Sequence, residues 1–90
     1  MGKIIEALAR SKSVEILLAL ENKKLKFNEI VKIASNATTA MRRTQDLHAA
    51  GLIGRKVLQD KQRSVEYSLT EKGKKLIPLI TAVLKIDTGR

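Results

Sequence analysis

In this 90-residue chain, the side chains best suited to chemistry fall in ATTAMRRTQDLHAA, just ahead of Gly51. Read as a helix advancing about 100° per residue, the segment turns Ala40, Thr44, Leu47 and Gly51 to one side. Thr38, Met41, Arg42, Gln45 and Ala49 fall on the other. That outer face has no acid and no lysine. Its groups are those that read base edges: Arg on guanine, Gln on adenine, Thr or Met methyls on thymine. N-terminal residues of such a helix reach deepest into a major groove, which favours Thr38, Thr39, Met41 and Arg42. Asn36 and the free N–H groups of the helix start suit a phosphate. Arg43 lies at the edge of the buried side and is directed to a phosphate or a nearby acid. His48 is the lone histidine and reads as a packed or capping group near a helix C-terminus. It has no His or Cys partner for a metal.

A second cluster follows Gly51, where the apolar period shortens. Val65, Tyr67 and Leu69 alternate with Ser64, Glu66 and Ser68, the pattern of a half-buried strand. LIGRKVLQ, ahead of the polar DKQR, supplies the other arm of a hairpin. The hairpin carries Arg55, Lys56, Lys61, Gln62 and Arg63, with Asp60 the only acid between Gly54 and Arg63. Such groups contact a nucleic-acid backbone, positioning a protein without reading sequence. The competing reading is an edge strand protected by charge.

Positioning these two clusters takes a small set of elements. Lys3 to Ala9 is amphipathic, with Ile4, Ile5 and Leu8 to one side. Ser11 or Ser13 is a candidate cap for SVEILLALEN, whose Val14, Leu17 and Leu18 face inward, with Ile16 and Leu20 as further candidates. Phe27 reads as a staple residue before an N-cap at Asn28 for the helix over NEIVKIA. Ser35-Asn36 marks a turn, and Gly51 ends the helix that follows. Thr70 reads as the N-cap of a last helix with Glu71 in its first turn, and Pro78 is expected to bend it. The predicted class is α+β, mostly α: a winged helix-turn-helix in the order α-α-α-α-β-β-α, one domain over residues 1–90. Its third helix enters a major groove and its hairpin reaches the backbone.

From Leu76 to Ile86 the last helix is apolar on more than one face. Leu76, Leu79, Ile80, Val83, Leu84 and Ile86 exceed what one small monomer can cover. A twofold homodimer through residues 70–88 is the expected solution, joined by Ile4, Ile5 and Leu8. The competing reading folds the N-terminal segment over that helix within one chain.

Composition sets the boundaries. Lys and Arg number 18 against nine acids, a net charge of +9, split as +5 in residues 1–45 and +4 in residues 46–90. A basic balance spread this evenly suits a polyanion, either nucleic acid or an anionic membrane surface. Hydrophobic content of 43% supports a folded core, and with only Phe27 and Tyr67 aromatic that core is aliphatic. No cysteine is present, so thiol catalysis, thiolate metal sites and a cysteine redox sensor are excluded. A membrane span needs about 20 apolar residues and finds no such run. Charges at Lys3, Glu6, Arg10 and Lys12 interrupt any signal-peptide core, so a cytoplasmic, nucleoid-associated protein is expected. There is no P-loop, GxGxxG or HExxH, and no paired carboxylates or nucleophile–base set; no enzyme and no cofactor are expected.

Phe27–Ile86 resembles the HxlR-like winged-helix transcription regulators, within the wider MarR and ArsR circle. The matching residues are FNEI at Phe27–Ile30, the DLHAAGLI ending of the third helix, and VEYSLTEKGKKLIP at Val65–Pro78. The compact, Lys-rich chain looks like the small archaeal members. The resemblance implies that the third helix reads DNA, the wing touches the backbone and the terminal helices dimerise. Those roles fall to Thr38, Thr39, Met41, Arg42 and Gln45; to Lys61, Gln62 and Arg63; and to Leu76–Ile86. Many members carry an N-terminal cysteine, absent here; the wing tip is short, and Thr44 stands where an aliphatic is usual. The reading is a homodimeric, sequence-specific double-stranded DNA-binding regulator with no evident small-molecule ligand. Its rivals are an architectural DNA-coating protein, separated by the ratio of specific to random affinity, and a winged helix used as a protein-interaction module. The latter would carry a more apolar outer face on the third helix.

Overall fold

The computed structural model describes residues 2–88; Met1, Gly89 and Arg90, at the ends of the expected domain, lie outside the described residues. Five helices and three strands follow one another among the described residues. They are α1 (Lys3–Ala9), α2 (Ser13–Ala19), β1 (Leu25–Lys26), α3 (Phe27–Ala34), α4 (Ala37–Ala49), β2 (Ile53–Val57), β3 (Val65–Leu69) and α5 (Glu71–Asp87). The strands form one antiparallel sheet in the order β1-β3-β2. The hairpin pairs Ile53 with Leu69, Arg55 with Tyr67 and Val57 with Val65.

Strand β1 is an addition to the order expected from the sequence. Leu25 pairs with Tyr67 and Lys26 with Glu66. Two residues are too few to show an alternation, so their state is decided by a distant partner. Four capping and packing expectations also change. Lys12 occupies the N-cap position of α2 in a left-handed conformation, φ 71°, and neither Ser11 nor Ser13 caps it. Ser13 is instead buried, its hydroxyl without a partner. The N-cap of helix α3 lies two residues earlier than expected: it is Lys26, with its N–H donating to Glu29 Oε1 at 2.9 Å. Asn28 is therefore inside the helix, and Phe27 is its first residue, half-buried against the core.

Ile16, Leu17, Ile30, Leu47 and Leu52 are completely enclosed, with Tyr67 the one buried aromatic. Helices α2, α3, α4 and α5 all contribute to this aliphatic cluster. Helix α5 runs through the exposed Pro78 without a break.

The corner between α4 and β2 is closely packed. Gly51, at φ +79°, follows the α4 C-cap, and its N–H donates to His48 O at 3.0 Å. A left-handed residue here is most cheaply a glycine. Gly73, in the first turn of α5, lies so close to Leu52 that a Cβ would collide with the Leu52 carbonyl oxygen. That obstacle is backbone, so it cannot be relieved by a rotamer change. Gly73→Ala is expected to destabilise the fold by about 1–3 kcal/mol through overpacking. Urea denaturation checks this; a midpoint equal to wild type would contradict the close approach.

Candidate nucleic-acid interface

Asn36 is the N-cap of α4, its Oδ1 accepting the Thr39 N–H at 2.7 Å. This fixes where the helix begins and hence which residues lead it. Ala40, Thr44 and Leu47 are buried, and that anchors the rotation of α4. The buried Thr44 hydroxyl donates to Met41 O at 3.0 Å, so a polar residue is tolerated on the inner face. Thr38, Met41, Arg42, Gln45 and Ala49 are then exposed together, and Thr39 is half-buried beside them. Met41 is 49% exposed, a large apolar side chain on a surface otherwise polar.

Arg43 is separated from this group. It is directed inward along α4 and pairs with Asp46 at 2.6 Å, its side chain only 14% exposed. Its Nε is buried without a partner. The adjacent Arg42 points outward and has no acid partner among the described residues. His48, expected to pack or cap, is exposed instead. It lies on the side of α4 that faces the hairpin, where a cleft is lined by Met41, Gln45, His48, Arg55, Arg63 and Tyr67.

The hairpin divides its cations between two faces. Arg55 shares the face of Ile53, Tyr67 and Val65 that looks towards α4. Lys56 alternates to the other face, in register with Glu66, which is itself opposite Lys26 on β1. Lys61, Gln62 and Arg63 are exposed at the tip. Arg55, Lys56, Lys61 and Arg63 have no acid partner within ion-pair distance among the described residues.

The wing tip is shaped by Asp60. Its Oδ1 accepts the Ser64 N–H at 2.9 Å, and its carbonyl accepts the Arg63 N–H at 3.1 Å. Arg63 takes a left-handed φ of 52° to close the turn, and Leu58 N–H donates to Ser64 O at 2.7 Å. In the sequence Asp60 stands out only as the lone acid of the wing, and its position four residues before Ser64 is the signal for a turn-closing carboxylate.

Away from α4, an apolar groove runs between α1 and α5. Ile5, Leu8, Val14, Leu76, Leu79, Ile80, Val83 and Leu84 line it. Of the expected dimer residues, Ile5, Leu79, Val83 and Ile86 are more than half exposed, Leu84 less so, and Ile80 is buried in the core. Ile4, Leu8 and Leu76 are half-buried against the core, and Ile4 and Ile86 do not line the groove. No group of His, Cys, Asp and Glu among the described residues is arranged to hold a metal. No helix there is long and apolar enough to cross a membrane.

Helices α2, α3 and α4, a hairpin wing and the long helix α5 define a winged helix-turn-helix protein. Residues 8–88 match the family model of the HxlR-like helix-turn-helix, and the chain belongs to that family. It is 40% identical over 70 residues to an uncharacterized HTH-type transcriptional regulator of Methanothermobacter thermautotrophicus, covering 76% of this chain and 53% of that protein. The chain thus spans about half the length of that relative. It is 30% identical over 88 residues to the uncharacterized HTH-type transcriptional regulator YvaP of Bacillus subtilis, covering 96% and 82% respectively. A crystal structure of a MarR-family transcriptional regulator from Porphyromonas gingivalis superposes with a TM-score of 0.82 at 22% identity, covering 98% of this chain and 88% of that one. That likeness shows the fold. Both sequence relatives are named as transcriptional regulators.

Hydrogen bonding from the Ser64 backbone holds the Asp60 carboxyl below the ordinary aspartate value of 3.8, with a smaller contribution from Lys26. The folded value is depressed, so the tip is tied down above that ordinary value and loosens as pH falls through the lower one. Amide exchange at Ser64 is expected to accelerate on acidification below about pH 4 relative to the β2–β3 ladder. An Asp60→Ala variant should show the fast exchange already at neutral pH. Equal protection in the two proteins would remove Asp60 from this role.

Proposed function

We propose that this protein is a sequence-specific, double-stranded DNA-binding transcriptional regulator that acts as a homodimer. Cytoplasmic location at the nucleoid follows from that role. The observation that carries the reading is the exposed, acid-free face of α4 beside cations left without acid partners on the hairpin. Thr38, Thr39, Met41, Arg42 and Gln45 read bases in the major groove. Asn36 and the α4 N-terminus hold a phosphate. Arg55, Lys61, Gln62 and Arg63 contact the backbone, and Lys56 adds long-range charge from the far face of the hairpin. Arg43 is committed to Asp46 and shapes the helix rather than the DNA contact.

The α1–α5 groove supports the dimer. Its walls are aliphatic apart from Asp87, and a second copy would remove Ile5, Leu79, Val83 and Leu84 from water. Two copies would present two α4 helices to half-sites about 10 bp apart, or a multiple of that. Val83→Asp should convert the dimer to a monomer by sedimentation while leaving the helical signal in circular dichroism intact. A dimer that survives the substitution would place the interface elsewhere.

Spread charge also favours a second reading, a protein that coats DNA with little preference. Fluorescence-anisotropy titration of DNA upstream of the protein's own gene, against random duplex at about 0.15 M salt, separates the two. A preference of about 10³ or more is expected. If that DNA shows no preference, selection from random duplex follows, and a pool that never enriches supports the coating protein. Arg42→Ala should weaken the preferred site by about 1–3 kcal/mol more than random DNA. Lys61→Ala should weaken both alike and flatten the salt dependence. Equal losses for Arg42→Ala on both DNAs would exclude it from base reading.

A further inference from the structure

Thr70 has a second bond that helix capping does not require. Its hydroxyl oxygen accepts the Gly73 N–H at 3.1 Å, the ordinary N-cap bond of α5. The same hydroxyl donates its proton to Gly51 O at 2.6 Å, across the corner that ends α4. Gly51 N–H in turn donates to His48 O, and Leu52 N–H to Leu47 O, both in the last turn of α4. Thr70 N–H donates to Leu52 O at 3.1 Å. A continuous run of hydrogen bonds therefore passes from the C-terminus of α4 to the first turn of α5. Gly73 removes the remaining slack, because its Cα sits directly against the Leu52 backbone.

We infer that Thr70 is a positioning residue that fixes the angle between the reading helix α4 and the helix α5, and so sets the half-site spacing the protein accepts. The inference rests on the dimeric DNA-binding reading. Its magnitude follows from lever arms. From Gly51 to Met41 along α4 is about 15 Å at 1.5 Å per residue. A tilt of about 7° at the junction, with α5 held by its partner, moves the reading residues by just under 2 Å over that length. Twofold symmetry doubles the change between the two α4 helices, to about one 3.4 Å base-pair step. A few degrees of play at this corner are enough to blur spacing by one base pair. The two bonds made by one hydroxyl oppose that play at the start of α5, together with the Gly73 contact and the burial of Ile77 and Ile80 further along the helix.

The two bonds are separable by substitution. Thr70→Ser keeps both. Thr70→Asp keeps an excellent N-cap for Gly73 N–H, but a carboxylate has no proton to give to Gly51 O. Thr70→Ala loses both bonds without adding charge, and serves as the second variant should Asp disturb folding. The probes are duplexes carrying the two half-sites selected from random DNA by the wild-type protein, re-spaced one base pair at a time. Wild type and Thr70→Ser should prefer one spacing about tenfold over its neighbours. Thr70→Asp and Thr70→Ala should fall to within about threefold across those spacings, with unchanged affinity for a single half-site. Loss of helix stability alone would lower affinity at all spacings together and would not flatten the profile. Wild-type spacing discrimination retained in both variants overturns the inference and leaves the DNA-binding reading standing. A wild type that binds specifically but ignores spacing, or sediments as a monomer, overturns the inference together with the dimeric reading. A wild type that enriches no site from random DNA overturns the inference together with the sequence-specific one.

Discussion

Backbone runs against backbone where α5 leaves the sheet, and the rest of the molecule is arranged around that contact. Gly73 allows the first turn of α5 to rest on the Leu52 carbonyl. Leu52 is wholly buried and follows directly on the turn that ends α4. The same few residues thus terminate one helix, start a strand and receive the start of another helix. A side chain at Gly73 would push these apart, and no rotamer could absorb the change. The exposed face of α4, the root of the wing and the apolar face of α5 all inherit their relative orientation from this corner.

Rotation of α4 about its own axis is set independently. Ala40, Thr44 and Leu47 are locked into the core, and Asn36 fixes the first turn. Two neighbouring arginines show the consequence. Arg42 and Arg43 are identical in chemistry and differ by about 100° around the helix. Arg43 is swung to Asp46, where a short charge-assisted bond holds it. Arg42 is left in solvent, with no acid partner among the described residues. One helical step separates a structural arginine from one available to a ligand.

Much of this was legible in the sequence because it depends on local rules. The helix wheel of α4, the Asn36 and Thr70 caps, the Gly51 stop and the alternation of Val65, Tyr67 and Leu69 are all settled within a few residues. Strand β1 was not legible, since Leu25 and Lys26 take their state from β3. The α2 start was misread because two serines flank a lysine that adopts the left-handed conformation in their place. The split of Arg55 and Lys56 between opposite faces was implicit in the two-residue period, but a list of basic residues ignores it. Gly73 carried no local signal at all: within a helix it only looks unfavourable, and its reason lies in a carbonyl brought near by the fold.

Stability and assembly draw on the same helix. A domain of this size buries a modest share of its chain, and here almost all of the core is aliphatic. Ile77 and Ile80 are buried in that core, while Leu79, Val83 and Ile86, on the other side of α5, remain exposed. On the dimeric reading, covering Leu79 and Val83 adds apolar burial to a small fold, so folding and association reinforce one another. If the protein measures distance along DNA as proposed, that coupling is mechanically useful to it. A loosely held α5 would dissipate any angle imposed at Thr70, whereas an α5 clamped between the core and a second copy transmits it. The apolar groove and the polar corner are in this sense two ends of one rigid element, and the α4 face is positioned by both.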